Sequence, residues 1–229
     1  MIFADFLKAV RQLSDPRFRR VFWLGIALTL ALLVMVYALL LWVIQSVSDG
    51  ALTLPDGRAI TWVGDLLSIG SIFLMIVLSV VLMVPVASAI TSLFLEDVAQ
   101  AVEDRHYPGL PPAPGLSFSD GLRDTVNFLG TLLGANLVAI VLYVMLPFAA
   151  PFIFYALNGF LLGREYFQIA AMRREGRAGA KALRQKHILT IWFAGCLMAV
   201  PLTIPLVNVL VPILGAATFT HLYHRLRPA

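Results

Sequence analysis

The residues best suited to chemistry are Ser14, Asp15, Pro16, Arg17, Phe18, Arg19 and Arg20, set directly against an unbroken apolar run over 21–44. Asp15 or Ser14 suits a helix N-cap, and Pro16 suits the first helical position. The backbone N–H groups of Arg17 and Phe18 would then be among the unpaired donors of a first turn, at the positive end of the macrodipole. Helix starts of this kind receive tetrahedral oxyanions, and Arg17, Arg19 and Arg20 add forked cationic donors. Cations at the mouth of an apolar run are equally an ordinary topology signal. On the residues alone both roles stand.

Other chemistry is sparse. His106, His187, His221 and His224 are the only histidines. His221 and His224 stand three apart, but no Cys, Asp or Glu accompanies them in sequence, so neither a zinc site nor another cofactor is expected. The chain has no Gly-x-Ser-x-Gly, His-Glu-x-x-His or phosphate-cradling glycine loop, and catalysis is not expected. Asn136, Asn158 and Asn208 lie inside apolar runs, where their amides need partners. With Arg123 and Glu165 they are candidates to line a polar path; hydrogen bonding between helices is the other reading. Glu165 could also pair with its neighbour Arg164. Gly130-x-x-x-Gly134 and Gly159-x-x-x-Gly163 permit close helix approach. Cys196, the one cysteine, reads as a buried thiol without an intrachain disulfide.

The elements that position these residues follow from hydropathy. Sixty per cent of the residues are apolar, 13% are charged and the mean hydropathy is +0.87, values that place the 229 residues in one all-α integral membrane domain. The net charge of +4 reflects topology rather than nucleic-acid binding. Residues 1–20 read as an amphipathic interfacial helix followed by the basic segment, and 21–45 as span one. The run is too long for a signal-peptide core, and no small-residue cleavage site follows it. After a loop over 46–61, a long span two covers 62–105. At about 55 Å it exceeds the ~30 Å hydrocarbon core, so its C-terminal turns, past the apolar run 66–95, emerge into water. Pro85 should kink it.

Two Pro-interrupted stretches follow, 117–163 with Pro147 and Pro151, and 188–224 with Pro201 and Pro205, separated by a basic segment over 164–187. The arms 152–163, 188–200 and 206–220 reach only about 18–22 Å as helices. Both stretches therefore read as half-penetrating hairpins that return on the side they entered, although 125–146 is long enough to cross. All Lys and Arg except Arg58 then fall on one side, which the positive-inside rule makes cytoplasmic, together with both termini. Full crossings at the same breaks would leave the loops on the same sides, so arm length decides the depth.

Three local patterns carry a family resemblance. They are Leu13 to Arg20 before span one; Glu103, Asp104 and Arg105 followed by a Pro/Gly linker; and Lys181 to His187 followed by 204–208 and 215–217. Over nearly its whole length the chain resembles the CysZ-type sulfate permeases, whose domain is shared with etoposide-induced membrane proteins of eukaryotes. The resemblance implies a multi-pass protein of the bacterial inner membrane, with two long spans and two half-penetrating hairpins, in contact with lipid. It also implies a homo-oligomer built from dimers, importing sulfate for cysteine synthesis. Phe18 would lend backbone donors to the anion, and Arg19 and Arg20 side chains. Where the family has glycine this chain has Arg17, which narrows the site or adds a third cation. The reading from another class is a non-transporting scaffold or assembly factor that binds lipid or partner proteins. A transporter should gather Arg123, Asn136, Asn158 and Asn208 around one cavity; a scaffold should leave them dispersed.

Overall fold

The computed structural model describes residues 2–48, 94–114, 118–204 and 207–227. Most of the loop 46–61, span two up to residue 93, Pro85, Arg58 and Pro205 lie outside the described residues. The chain divides into two compact units, one formed by 1–22 with 93–229 and the other by 23–92. The regular structure described is helical: α1 (Ile2–Arg11), a 3₁₀ turn (Gln12–Ser14), α2 (Pro16–Ser48), α3 (Leu95–His106), α4 (Phe118–Met145), a 3₁₀ turn (Pro147–Ala149), α5 (Ala150–Lys186), α6 (Ile188–Leu202), a 3₁₀ turn (Val207–Leu210) and α7 (Val211–Leu226).

Two stretches meet the length and apolarity needed to cross a bilayer, Pro16–Leu39 with mean hydropathy 2.4 and Val126–Met145 with 2.1. Both leave most of their described apolar side chains exposed. Leu30, Val34, Met35 and Leu39 on α2 and Leu129, Leu133, Leu137 and Val144 on α4 are all exposed. A surface this apolar is stable only where the solvent is lipid.

Proline places the breaks where the sequence puts them. Leu146, the residue before Pro147, leaves the helical region (φ −134°, ψ 63°), as a pre-proline residue must when the ring blocks the α conformation. Pro151 and Pro212 then sit in the first turns of α5 and α7, where a missing N–H costs nothing. Composition changes at residue 164, but α5 runs through that point. Its backbone departs from helix only at Gly176 (φ 66°), a left-handed conformation that glycine adopts without strain.

The core lies within the larger unit. α7 is buried on all sides from Val211 to Tyr223, with Phe18, Leu95, Val98, Phe167, Met198 and Phe219 packed in the same cluster. α1 joins this core through Ala9 and leaves Phe3, Leu7 and Val10 exposed. α5 packs most extensively on α6, more than on its hairpin partner α4. The reason is steric. Gly159 and Gly163 face Cys196 and Ile191, and the α-carbon of Gly195 lies against the Gly159 carbonyl. Gly130 and Gly134 do not take part in this contact, for a Cβ on either would meet nothing within 4 Å. Cys196 is half-buried rather than enclosed, its thiol 3.5 Å from the Tyr155 carbonyl.

A Cβ at Gly195 would run into the Gly159 carbonyl, and backbone cannot rotate aside. Gly195→Ala is therefore expected to cost about 1–3 kcal/mol, read as a lowered thermal midpoint of the detergent-solubilised protein, whereas Gly130→Ala leaves the midpoint unchanged.

Candidate functional site

At the start of α2 the Asp15 carboxylate accepts a hydrogen bond from the Arg17 N–H at 2.9 Å. One of the two backbone donors expected to be free for an anion is thus already capped. Asp15 serves as the N-cap because its side chain reaches the second residue of the helix, just past Pro16. Phe18 is buried in the core, while Arg19 and Arg20 are exposed. The Arg17 guanidinium pairs with Asp104 of α3, and Arg105 lies 3.7 Å from Asp15. Arg17 and Arg20 share a small cleft of about 220 Å³ with Val21, Asp97 and Gln100; Arg19 does not line it.

From that cleft a hydrogen-bonded chain runs into the interior. Gln100 donates to Asp104 at 2.8 Å and accepts from Arg173 at 2.7 Å. Arg173 also donates to Glu103 at 3.3 Å. Arg174 donates to both oxygens of Glu103, at 2.7 and 2.8 Å, and His224 Nε2 stands 2.9 Å from Oε1. Glu103 is 2% exposed, so this is a buried carboxylate held by two arginines of α5 and a histidine of α7. Burial alone would raise its pKa. The hydrogen bonds from Arg174 and His224 and the charges of Arg173 and Arg174 outweigh burial and hold it at about 2. Tyr107 stacks on His224 with ring centres 4.2 Å apart, and its hydroxyl is 3.1 Å from His221 Nδ1. A carboxylate does accompany the histidine pair, brought from α3 by the fold. Beneath this group Asp5 of α1 pairs with Arg225 at 2.6 Å.

The three asparagines line neither cleft among the described residues. Asn136 and Asn158 each donate to the carbonyl one turn back in their own helices, at 2.8 and 2.9 Å. Asn208 lies in the 3₁₀ turn before α7, and Arg123 is exposed. Arg164 and Glu165 form no ion pair. Arg164 instead donates to the Asn127 carbonyl at 3.4 Å and lies over the Phe128 ring. Burial raises the Glu165 pKa to about 7 against the opposing charge of Arg164. What does converge is a different set. A cleft of about 750 Å³ between α4 and α5 is lined by Asp124 and Asn127 on one side and by Arg164, Arg177, Lys181 and Arg184 on the other.

A family model described as "Sulfate transporter CysZ/Etoposide-induced protein 2.4" matches residues 5–212. The chain belongs to that family. No curated protein matches it. The match takes in α1 through the start of α7, so this CysZ/EI24 chain is a membrane protein of a transporter family rather than of an enzyme family.

The sequence reading missed Gln100, Asp104, Arg173 and Arg174, along with the basic side of the α4–α5 cleft. A signal for the cleft was present. Arg177, Lys181 and Arg184 recur at i, i+4 and i+7, and Arg164 and Gln168 at i and i+4, which puts each set on one helical face. Glu103 and Asp104 stand in the family pattern, but their partners were not legible because they come from distant helices.

The pKa of Glu103 lies below the ordinary value of 4.5, so its stabilisation is complete above that pH and is lost as pH falls towards about 2. Thermal stability should drop across that window. Glu103→Gln is expected to flatten part of the drop and to cost about 3–5 kcal/mol near neutral pH, since it leaves two buried guanidinium groups short of a counter-charge.

Proposed function

We propose that the protein is an inner-membrane permease for sulfate or a similar oxyanion, acting without covalent chemistry and feeding sulfur assimilation and cysteine synthesis. The observation that carries this reading is a cationic, donor-rich helix start, open to solvent, in a chain of the CysZ/EI24 family. Arg19 and Arg20 supply mobile side-chain donors to the anion, and Phe18, anchored in the core, holds the backbone of the turn in place for it. Arg17 stands where the family has glycine and is already paired with Asp104, so an anion recruits it only by competing with that carboxylate. α2 and the segment 62–105 act as the two long spans, while α4–α5 and α6–α7 act as half-penetrating hairpins in an oligomer built from dimers. Both termini then lie in the cytoplasm.

One observation favours the scaffold reading. Arg123, Asn136, Asn158 and Asn208 line neither of the two clefts among the described residues, and Asn136 and Asn158 satisfy themselves within their own helices.

Calorimetric titration of purified protein with sulfate, with phosphate and chloride as competitors, separates the two. The permease reading expects saturable sulfate binding that Arg19→Ala/Arg20→Ala abolishes. It also expects Asp104→Asn to tighten binding by roughly threefold to tenfold, because Arg17 loses its competing carboxylate. No binding by folded wild-type protein would return these cations to the role of topology signals and leave the scaffold reading ahead.

A further inference from the structure

We propose that the cleft between α4 and α5 is a second oxyanion site, built for a tetrahedral phosphate- or sulfate-type group and independent of segment 14–20. Its positive charge is only partly compensated. Arg164, Arg177, Lys181 and Arg184 line it against Asp124 as the one carboxylate among the described lining residues. Asp124 does little to quench them, for its nearest approach is 3.9 Å from Arg177 Nε, too long for a hydrogen bond.

The donors in the cleft are also left over. Arg164 Nη1 and Arg177 Nε are buried with no hydrogen-bond acceptor. Gln168 is 4% exposed, and its Oε1 is occupied by Arg184 Nε at 3.2 Å, so the free end of this buried side chain is its amide donor. A buried donor without an acceptor is destabilising, and more so when it is charged. The contrast with the neighbouring arginines is direct. Arg173 and Arg174 are buried at least as deeply, but Arg173 Nη1 and Nη2 and Arg174 Nε and Nη2 donate to Glu103 and Gln100. Arg173 Nε also lacks an acceptor, but it still lies 3.7 Å from the Glu96 carboxylate. In the cleft the acceptors that bond these cations are neutral, the Asn127 carbonyl for Arg164 and Gln168 Oε1 for Arg184. Burial and the nearby charge of Arg164 both lower the Arg184 pKa, and burial lowers that of Arg164, outweighing the opposing charges of Asp124 and Glu165.

The shape of the donor set selects the ligand. A planar carboxylate is matched by one guanidinium fork. Here guanidinium groups come from three turns of α5, with an amide and an ammonium besides, and a tetrahedral group with several acceptor oxygens meets donors arriving from several directions. Two sources offer that chemistry, an inorganic anion in water and the phosphate of an anionic lipid. The second is within reach because Val126, Leu129 and Leu133 expose an apolar face on α4 at the level of the cleft, and long cationic side chains at such a boundary extend towards headgroups.

The test uses full-length protein, delipidated in detergent, titrated with sulfate and with phosphate. Variants Arg164→Gln/Arg184→Gln and Lys181→Glu are compared with wild type and with Arg19→Ala/Arg20→Ala. In parallel, native mass spectrometry follows phosphatidylglycerol retained from nanodiscs. An inorganic occupant is expected to give binding that survives Arg19→Ala/Arg20→Ala and weakens about tenfold or more in the cleft variants. A lipid occupant is expected to give retained phosphatidylglycerol that the cleft variants lose and that added sulfate does not displace. The proposal is overturned if neither inorganic binding nor lipid retention changes by as much as about twofold in folded cleft variants. Lys181→Glu decides alone if the double variant does not fold, since Lys181 is exposed. Loss of sulfate binding only in Arg19→Ala/Arg20→Ala would overturn the second site and leave the permease reading intact.

Discussion

A single buried carboxylate organises the larger unit. Glu103 lies on α3, and its ligands come from α5 and α7, so three helices distant in sequence are tied through one residue. Desolvating a carboxylate and two guanidinium groups costs several kcal/mol, and the geometry recovers it only because both oxygens are bonded and the arginines are shared with Gln100 and the Pro111 carbonyl. Such a cluster adds little net stability over an apolar core. It does specify one arrangement, because any slip of α3 against α5 or α7 would strand charges out of water. The polar outer end of α3 is thereby held where Asp104 can meet Arg17 and Gln12 can reach the Ala101 carbonyl at 3.1 Å.

The helices of membrane-crossing length obey the opposite rule. α4 carries apolar side chains outward along most of its length, and α2 does so beyond residue 28. In water these faces would be an aggregation hazard; in hydrocarbon they are the solvated surface. Polar side chains on such helices bond within their own turns, as Thr29, Thr131 and Asn136 do, and Asn158 does the same in the apolar part of α5. That local bonding lets them stay in an apolar setting without meeting one another. It also explains why the asparagines failed to mark a path: an amide that satisfies itself against its own backbone has no need of a cavity.

Charge compensation divides the cationic residues by function. Arg173, Arg174 and Arg225 meet carboxylates and act as structure, and Arg17 meets Asp104 at the surface. Arg19 and Arg20 stay exposed at the helix start, and Arg164, Arg177 and Arg184 crowd a cleft with little opposing charge. An oxyanion-handling protein needs cations of the latter two kinds, since a guanidinium already bonded to a carboxylate must surrender that bond before it can hold anything else.

Much of this was legible without coordinates. The apolar run after Arg20, the breaks around Pro147, Pro151 and Pro201, and the cap at Asp15 depend on hydropathy and backbone sterics within a few residues of each position, which spacing reports directly. The family pattern likewise rests on short local stretches. Tertiary structure alone decided that Gly159 pairs with Gly195 rather than with Gly130, and which arginines are spoken for. The physical reason is range. Helix formation and membrane partition are set by neighbours along the chain, but the fate of a charge is set by whichever opposite charge the fold brings within about 4 Å, and for Arg173, Arg174 and His224 that charge lies on Glu103, several helices away.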